Sequence, residues 1–279
     1  MNPWNIKVLY LGKITMPFST MISVHYPFNA PKVTEDFTIG GPYLGFLLQR
    51  GDRNIVVDTG ISEKFFIDGK AWAGLPAEGG KSYVLKALSK EGIRPEDIEM
   101  VVYTHLHNDH AANCGLFTNA KIIFQKDEWQ NLLDPLPAQK VRKDYDPDLI
   151  DELRSANCIK VDGDIELTDG VKLYKTPGHT VGSQSVAVNT NKGVVVLVGD
   201  LLTSYISAFP YLREIMDMEG RKHPIPAAPE AFGQGIPGGI TYDFYSFYAS
   251  LNKVKTIASR YEPGFIIPGH ETSLVLTGI

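Results

Sequence analysis

The sequence predicts an α/β protein, specifically a four-layer αβ/βα sandwich. Three observations carry that prediction. Apolar runs of strand length recur along the chain, amphipathic helical stripes fall between them, and the pattern of strands followed by a helix occurs twice. The 279 residues are therefore expected to form one domain, 1–279, made of two similar halves.

In the first half, strands are expected near Ile6–Leu11, Ile22–Tyr26, Tyr43–Leu48 and Asn54–Val57. A helix should start at Ser82 as N-cap, bury Val84, Leu85 and Leu88 on one face, and stop at Gly92. Strands Met100–Tyr103 and Lys121–Phe124 follow, then a short helix from Lys126. Asp146-Pro147 reads as the cap and first turn of a helix running to about Ser155. In the second half, strands are expected at Val171–Lys175, Ser185–Val188 and Val194–Val198. A long helix with a buried stripe of Phe244, Phe247, Tyr248, Leu251, Val254 and Ala258 comes next. Phe265–Ile267 makes one more short strand.

The most informative segment is Thr104-His105-Leu106-His107-Asn108-Asp109-His110. It places four metal-ligand side chains within six residues, and its three histidines are drawn from only seven in the chain. Imidazole and carboxylate are the ligands zinc prefers, with an open position for water in catalytic sites. The cluster follows an apolar strand, so it lies at the carboxyl end of a sheet, where α/β folds place chemistry. Three further strands end the same way. Thr176-Pro177-Gly178-His179, Gly199-Asp200 and Pro268-Gly269-His270 each put a potential ligand just past a glycine that permits a tight turn. Each alone reads as well as an ordinary turn. Together with the first cluster they supply seven ligands, enough for two metals sharing one carboxylate.

Composition narrows the class. The hydrophobic fraction is 43%, the charged fraction 21% and the net charge −5, ordinary for a globular protein. No basic run could follow a phosphate backbone, so nucleic acid is not an expected partner. No apolar stretch approaches the ~20 residues of a membrane span. Met1 to Met16 contain Lys7 and Lys13, no uninterrupted apolar segment and no small-residue cleavage site; no signal peptide and a cytoplasmic location are expected. Cys114 and Cys158 form no metal motif and read as free thiols, with a disulfide left open.

The constellation resembles the metallo-β-lactamase-fold superfamily over essentially the whole chain. The resemblance implies that His105, His107 and His179 hold one divalent ion and that Asp109, His110 and His270 hold another, with Asp200 bridging. Two zinc ions per chain are the implied cofactors. Val56-Val57-Asp58-Thr59-Gly60 is a further family mark, in which Asp58 would orient a ligand histidine. A plain strand-ending turn explains the same residues equally well. Zinc β-lactamases usually carry cysteine or serine where Asp200 stands, so the aspartate points to the dinuclear lactonases, thioesterases and phosphodiesterases.

Within the superfamily the sequence is most similar to the N-acyl homoserine lactonases, which are quorum-quenching enzymes. Thr176-Pro177-Gly178-His179-Thr180-Val181-Gly182-Ser183-Gln184-Ser185 and Gly238-Gly239-Ile240-Thr241-Tyr242-Asp243 carry that likeness, as does the end of the chain soon after His270. The resemblance implies a hydrolase that opens a lactone or similar cyclic ester or amide by attack of a metal-bound hydroxide. Asp109 would orient the hydroxide or return a proton to the leaving group. Lactonases carry a tyrosine three residues past the bridging aspartate, assisting the substrate carbonyl. Here that residue is Thr203, and Tyr205 is the candidate substitute. Asn108 also stands where an aromatic or aliphatic residue is common.

The substrate would be a small molecule bound by loops. Residues 203–242 form a long connection rich in Pro, Gly and aromatics, including Phe209, Tyr211 and Phe232. The stretch holding Met16, Phe18, Met21, Tyr26 and Phe28 is similarly apolar. The two would either wall a pocket over the metals or pack on each other or at a homodimer interface. Rival readings are a thioesterase of the glyoxalase II type, a β-lactam hydrolase, a persulfide dioxygenase with a single iron, and a metal-stabilised binding module.

Overall fold

Residues 2–21, 37–71, 74–225, 228 and 233–279 are described by the structure, a computed structural model. The expected strand Ile22–Tyr26, along with Phe28, Phe232 and the side chain of Met21, lies outside the described residues.

Seven strands form the larger sheet: β1 (Asn5–Pro17), β2 (Thr38–Arg50), β3 (Arg53–Val57), β4 (Ala77–Gly79), β5 (Met100–Val102), β6 (Lys121–Gln125) and β7 (Cys158–Val161). Their order is β4-β1-β2-β3-β5-β6-β7. Strands β1, β2 and β3 are successively antiparallel, whereas β3, β5, β6 and β7 run parallel. The smaller sheet contains β8 (Ile165–Thr168), β9 (Val171–Lys175), β10 (Gln184–Thr190) and β11 (Gly193–Gly199). A separate hairpin, β12 (Glu214–Met216) and β13 (Lys222–Pro224), follows in the chain. The last strand, β14 (Ile266–Pro268), returns to pair in parallel with β11, giving the order β14-β11-β10-β9-β8.

Period-two alternation assigns each strand's two faces to different layers. In β3, Ile55 and Val57 face the second sheet while Val56 faces outward to the helices. The core between the sheets joins Leu44, Phe46, Leu48, Ile55 and Val57 to Val171, Leu173, Val186, Val188, Val195 and Leu197. Each such side chain contributes roughly 1.5–3 kcal/mol on full burial. The outer face of the larger sheet is covered by α2 (Lys81–Lys90), α3 (Lys126–Leu133) and α5 (Leu149–Ser155) through Val84, Leu88, Trp129, Leu132, Leu149 and Leu153. The outer face of the smaller sheet, with Val196 and Val198, is covered by α7 (Phe244–Ile257) through Phe247, Leu251 and Val254. Helix, sheet, sheet and helix make the four expected layers.

Several local expectations are corrected. The cap of α2 is Gly80, not Ser82, and Lys81 N–H donates to Glu63 Oε1 at 2.6 Å, so a distant carboxylate serves the helix N-terminus. Leu85 points outward from α2. On α7 the stripe is narrower than expected: Phe244 and Tyr248 are exposed, and Ser250 takes a buried place by donating to the Pro177 carbonyl at 2.7 Å. The 203–242 connection is partly ordered into α6 (Tyr205–Ala208) and the β12–β13 hairpin. Helix α4 (Pro137–Arg142) and strands β7 and β8 were not anticipated. Cys114 and Cys158 are both free thiols. Among the described residues, no helix is long and apolar enough to cross a membrane.

Candidate metal centre

Each ligand candidate follows the carboxyl end of a strand. Residues 104–110 follow β5, His179 follows β9, Asp200 follows β11 and His270 follows β14. Strand β5 belongs to the larger sheet and the other three to the smaller, so the ligands converge across the seam between the sheets. Gly178 and Gly199 have the positive φ expected of turn glycines, 145° and 53°. Gly269 is needed for space instead, since a Cβ there would lie 2.3 Å from Asp200 Oδ1.

The structure brings all the predicted ligands together. Donor atoms of His105, His107 and His179 lie within 4.8 Å of one another; so do those of His105, His110 and Asp200, and those of Asp109, His110 and His270. His179 Nε2 and His107 Nδ1 are 3.0 Å apart, and His110 Nε2 and His270 Nε2 are 3.2 Å apart. Asp200 stands between the groups. Its Oδ1 is 3.3 Å from His110 Nε2 and 3.2 Å from His270 Nε2, while Oδ2 is 3.7 Å from His179 Nε2. Asp109 reaches His270 Nε2 at 3.7 Å and His110 Nε2 at 3.9 Å.

Neighbouring polar groups fix which nitrogen of His110 and of His270 faces inward. His110 Nδ1–H donates to Asp58 Oδ2 at 2.9 Å, and His270 Nδ1–H donates to the Pro42 carbonyl at 2.8 Å. Both Nε2 atoms are thereby left facing inward, where they could bind a metal. Asp58 is held in turn by Thr104, whose N–H and Oγ1–H donate to its two oxygens at 2.8 and 2.7 Å. Asp58 is thus more than a strand-ending turn.

Burial pushes His105 well below the ordinary histidine range and His107 and His179 down to about 3. These three rings are neutral and can offer lone pairs. Burial opposes charge on His110 and His270 most strongly, but the neighbouring carboxylates together outweigh it, Asp200 foremost with Asp109, and Asp58 at His110, and raise both. Burial would raise Asp200 in the same way, yet His270 and His110 hold its carboxyl well below the usual carboxylate range. His105 Nε2 and Asp200 Oδ1 are fully buried and make no hydrogen bond. Converging neutral imidazoles, unsatisfied acceptors and a buried carboxylate form a donor set that fits divalent cations and little else.

Tyr205 is not brought to the ligands. As the first residue of α6, its hydroxyl accepts the Gly264 N–H at 3.0 Å, before β14, whereas His270 follows the other end of that strand. Thr203 is nearer, since its carbonyl accepts His270 N–H at 2.9 Å, but its hydroxyl is engaged with Ser207 Oγ at 3.1 Å. The expected pocket walls are redistributed as well. Phe209 is core beneath α7, and Tyr211 is exposed against its edge. Phe18 joins Ile206, Ile215, Ile225 and Ile236, so the N-terminal segment and the long connection pack on each other. Met16 packs at the margin of the core under α2. Burying these apolar groups against one another satisfies them without a ligand.

Sequence reading passed over two groups. Glu128, fully buried in the first turn of α3, looks in sequence like one more acid favoured by a helix N-terminus. Arg142 pairs with Asp144 at 2.7 Å and bonds the Tyr242 hydroxyl. The Asp144 carbonyl accepts Asn108 N–H at 2.8 Å, and Tyr242 N–H donates to the Gly178 carbonyl at 3.0 Å. Only the fold brings these loops beside the ligand histidines.

Comparison with known proteins identifies the family and the fold. The family model of the metallo-beta-lactamase superfamily matches residues 39–270, and the chain belongs to that superfamily. It is similar to an N-acyl homoserine lactonase of Bacillus cereus, 33% identical over 164 residues. That match spans 56% of this chain and 62% of the Bacillus protein, less than two thirds of its length. A metallo-beta-lactamase domain-containing protein 1 of Xenopus laevis is 32% identical over 119 residues, 42% of this chain and 43% of that protein. Among solved structures, an N-acyl homoserine lactone hydrolase with N-hexanoyl-L-homoserine at its catalytic metal center superposes with a TM-score of 0.69 at 24% identity. That superposition covers 97% of this chain and 94% of the other. A dizinc quorum-quenching lactonase gives 0.66 at 18% identity, covering 97% and 88%. At these identities the structural likeness establishes the metallo-β-lactamase fold.

Proposed function

We propose that the protein is a dinuclear metal-dependent hydrolase that opens lactones. The observation that carries this reading is the placement of Asp200 between two ligand groups, His105–His107–His179 and Asp109–His110–His270. The lactonase relatives support the choice of a cyclic ester over other hydrolysable bonds.

Two divalent ions, zinc by the donor set, would lower the pKa of a water to about 7 and draw charge from the ester carbonyl. The chain's own residues do the rest. Asp58 and the Pro42 carbonyl keep the Nε2 atoms of His110 and His270 turned inward. Asp200 spans both groups and fixes their separation. Asp109 is the more exposed of the two acidic ligands. It is placed to accept the proton of the attacking water and to deliver it to the alkoxide released when the ring opens. Tyr205 supplies no phenol to the carbonyl.

Elemental analysis of reconstituted protein and a turnover screen test the reading. Two divalent ions per chain are expected, with faster turnover of lactones than of thioesters, β-lactams or phosphodiesters. A metal content that stays at or below one, or metal-loaded protein inert toward every lactone, would overturn it.

A further inference from the structure

We infer that Glu128 is a positioning residue for the His105–His107–His179 group, setting the affinity of one metal position and not the other. The inference rests on the dinuclear reading above. Glu128 is fully buried, and each of its oxygens holds a different ligand loop. Oε2 accepts Leu106 N–H at 2.9 Å, and Leu106 lies between His105 and His107 in the chain. Oε1 accepts Gly182 N–H at 3.0 Å, three residues past His179. The Tyr145 hydroxyl also donates to Oε2 at 3.3 Å, and the Tyr145 ring meets His107 edge to face with centroids 4.9 Å apart. One side chain thus ties together the two loops that carry all three histidines and the ring packed against one of them.

The contact is too close for other residues. A Cβ on Gly182 would lie 2.4 Å from the Glu128 backbone nitrogen and 2.9 Å from its Cγ. The chemistry is equally constrained. A carboxylate offers only acceptors, which matches three converging donors. Glutamine keeps one acceptor oxygen and turns an NH2 group toward a backbone N–H or the phenol, so one loop must move. His110 and His270 are held from elsewhere, by Asp58 and by the Pro42 carbonyl. Disturbing Glu128 therefore acts on one metal position.

The test compares wild-type protein with Glu128→Gln. Metal-free protein is titrated with zinc against a chromophoric chelator, and absorption spectra are recorded after loading with cobalt(II). We expect two binding constants in the wild type. In Glu128→Gln, one should weaken roughly 10- to 100-fold, the size seen when a partner of a ligand is lost, while the other stays within about twofold. The cobalt bands should change for one ion only. Two unchanged constants, or two that fall together, overturn the inference. If Glu128→Gln does not fold, Tyr145→Phe removes one donor and leaves the carboxylate; the same asymmetry is expected at smaller size, and its absence is equally fatal. A wild-type protein with fewer than two sites instead overturns the dinuclear reading itself, and the inference with it.

Discussion

Asp58 holds its Oδ2 2.9 Å from His110 Nδ1 from a left-handed backbone conformation, φ 58°, that non-glycine residues seldom adopt. Such strain persists where surrounding bonds over-determine it. Here Thr104 supplies two of them, and Asp58 N–H donates to the Val102 carbonyl at 3.0 Å. Asp58→Asn keeps the shape but loses one acceptor among three donors. Zinc affinity measured by chelator competition should fall roughly 10- to 100-fold. An affinity equal to that of wild type would make Asp58 only a structural turn.

Asp200→Ala removes the carboxylate that stands between the two ligand groups. Turnover is expected to drop at least about 100-fold, as when a major electrostatic contributor is deleted. Metal content should fall below two per chain. A variant with both ions and near-normal turnover would show that the two groups do not depend on a shared carboxylate.

Tyr205→Phe tests the corrected placement of that residue. Its hydroxyl serves Gly264 N–H, so kcat on a lactone should stay within about twofold of wild type. Denaturant stability should decrease by about 1 kcal/mol for the lost hydrogen bond. A kcat lower by tenfold or more, with the fold intact, would return the phenol to the reaction.

Two aromatic residues in the first turn of α7 should behave very differently. Phe247 is fully buried against the smaller sheet, while Phe244 is 57% exposed. Phe247→Ala is expected to cost about 3–5 kcal/mol in urea unfolding. Phe244→Ala should change stability by no more than about 0.5 kcal/mol. Equal losses would mean that the helix packs on a wider face.

The legible parts of this protein were those in which residue type and spacing carry the physics. The convergence of the candidate ligands past strand ends was visible because His105, His107 and His110 crowd one loop and because the others also directly follow apolar strands. The strand alternation of β3 and the apolar run of β11 placed the layers. The misplaced parts depend on partners remote in sequence. The N-terminus of α2 is served by Glu63, which no local pattern links to it. Phe18 and the 203–242 connection looked like pocket walls because exposure cannot be read from hydrophobicity; each satisfies the other. Glu128 was hidden because an acid in a helix's first turn is ordinary, and only folding brings Leu106 and Gly182 to it.

The split of the candidate ligands between two sheets bears on when the site can be complete. His105, His107, Asp109 and His110 are neighbours in the chain and are present as a half-set from the start. His179, Asp200 and His270 join them only when the smaller sheet has formed and docked, and His270 must await the parallel closure of β14 on β11. Long-range parallel pairing is intrinsically slow because the loop must close before its contacts form. Under the dinuclear reading proposed above, full-strength metal capture would come only after the two sheets have docked. On that reading a metal-loaded molecule would be one whose two halves have already met, and an immature chain would grip an ion with only one hand.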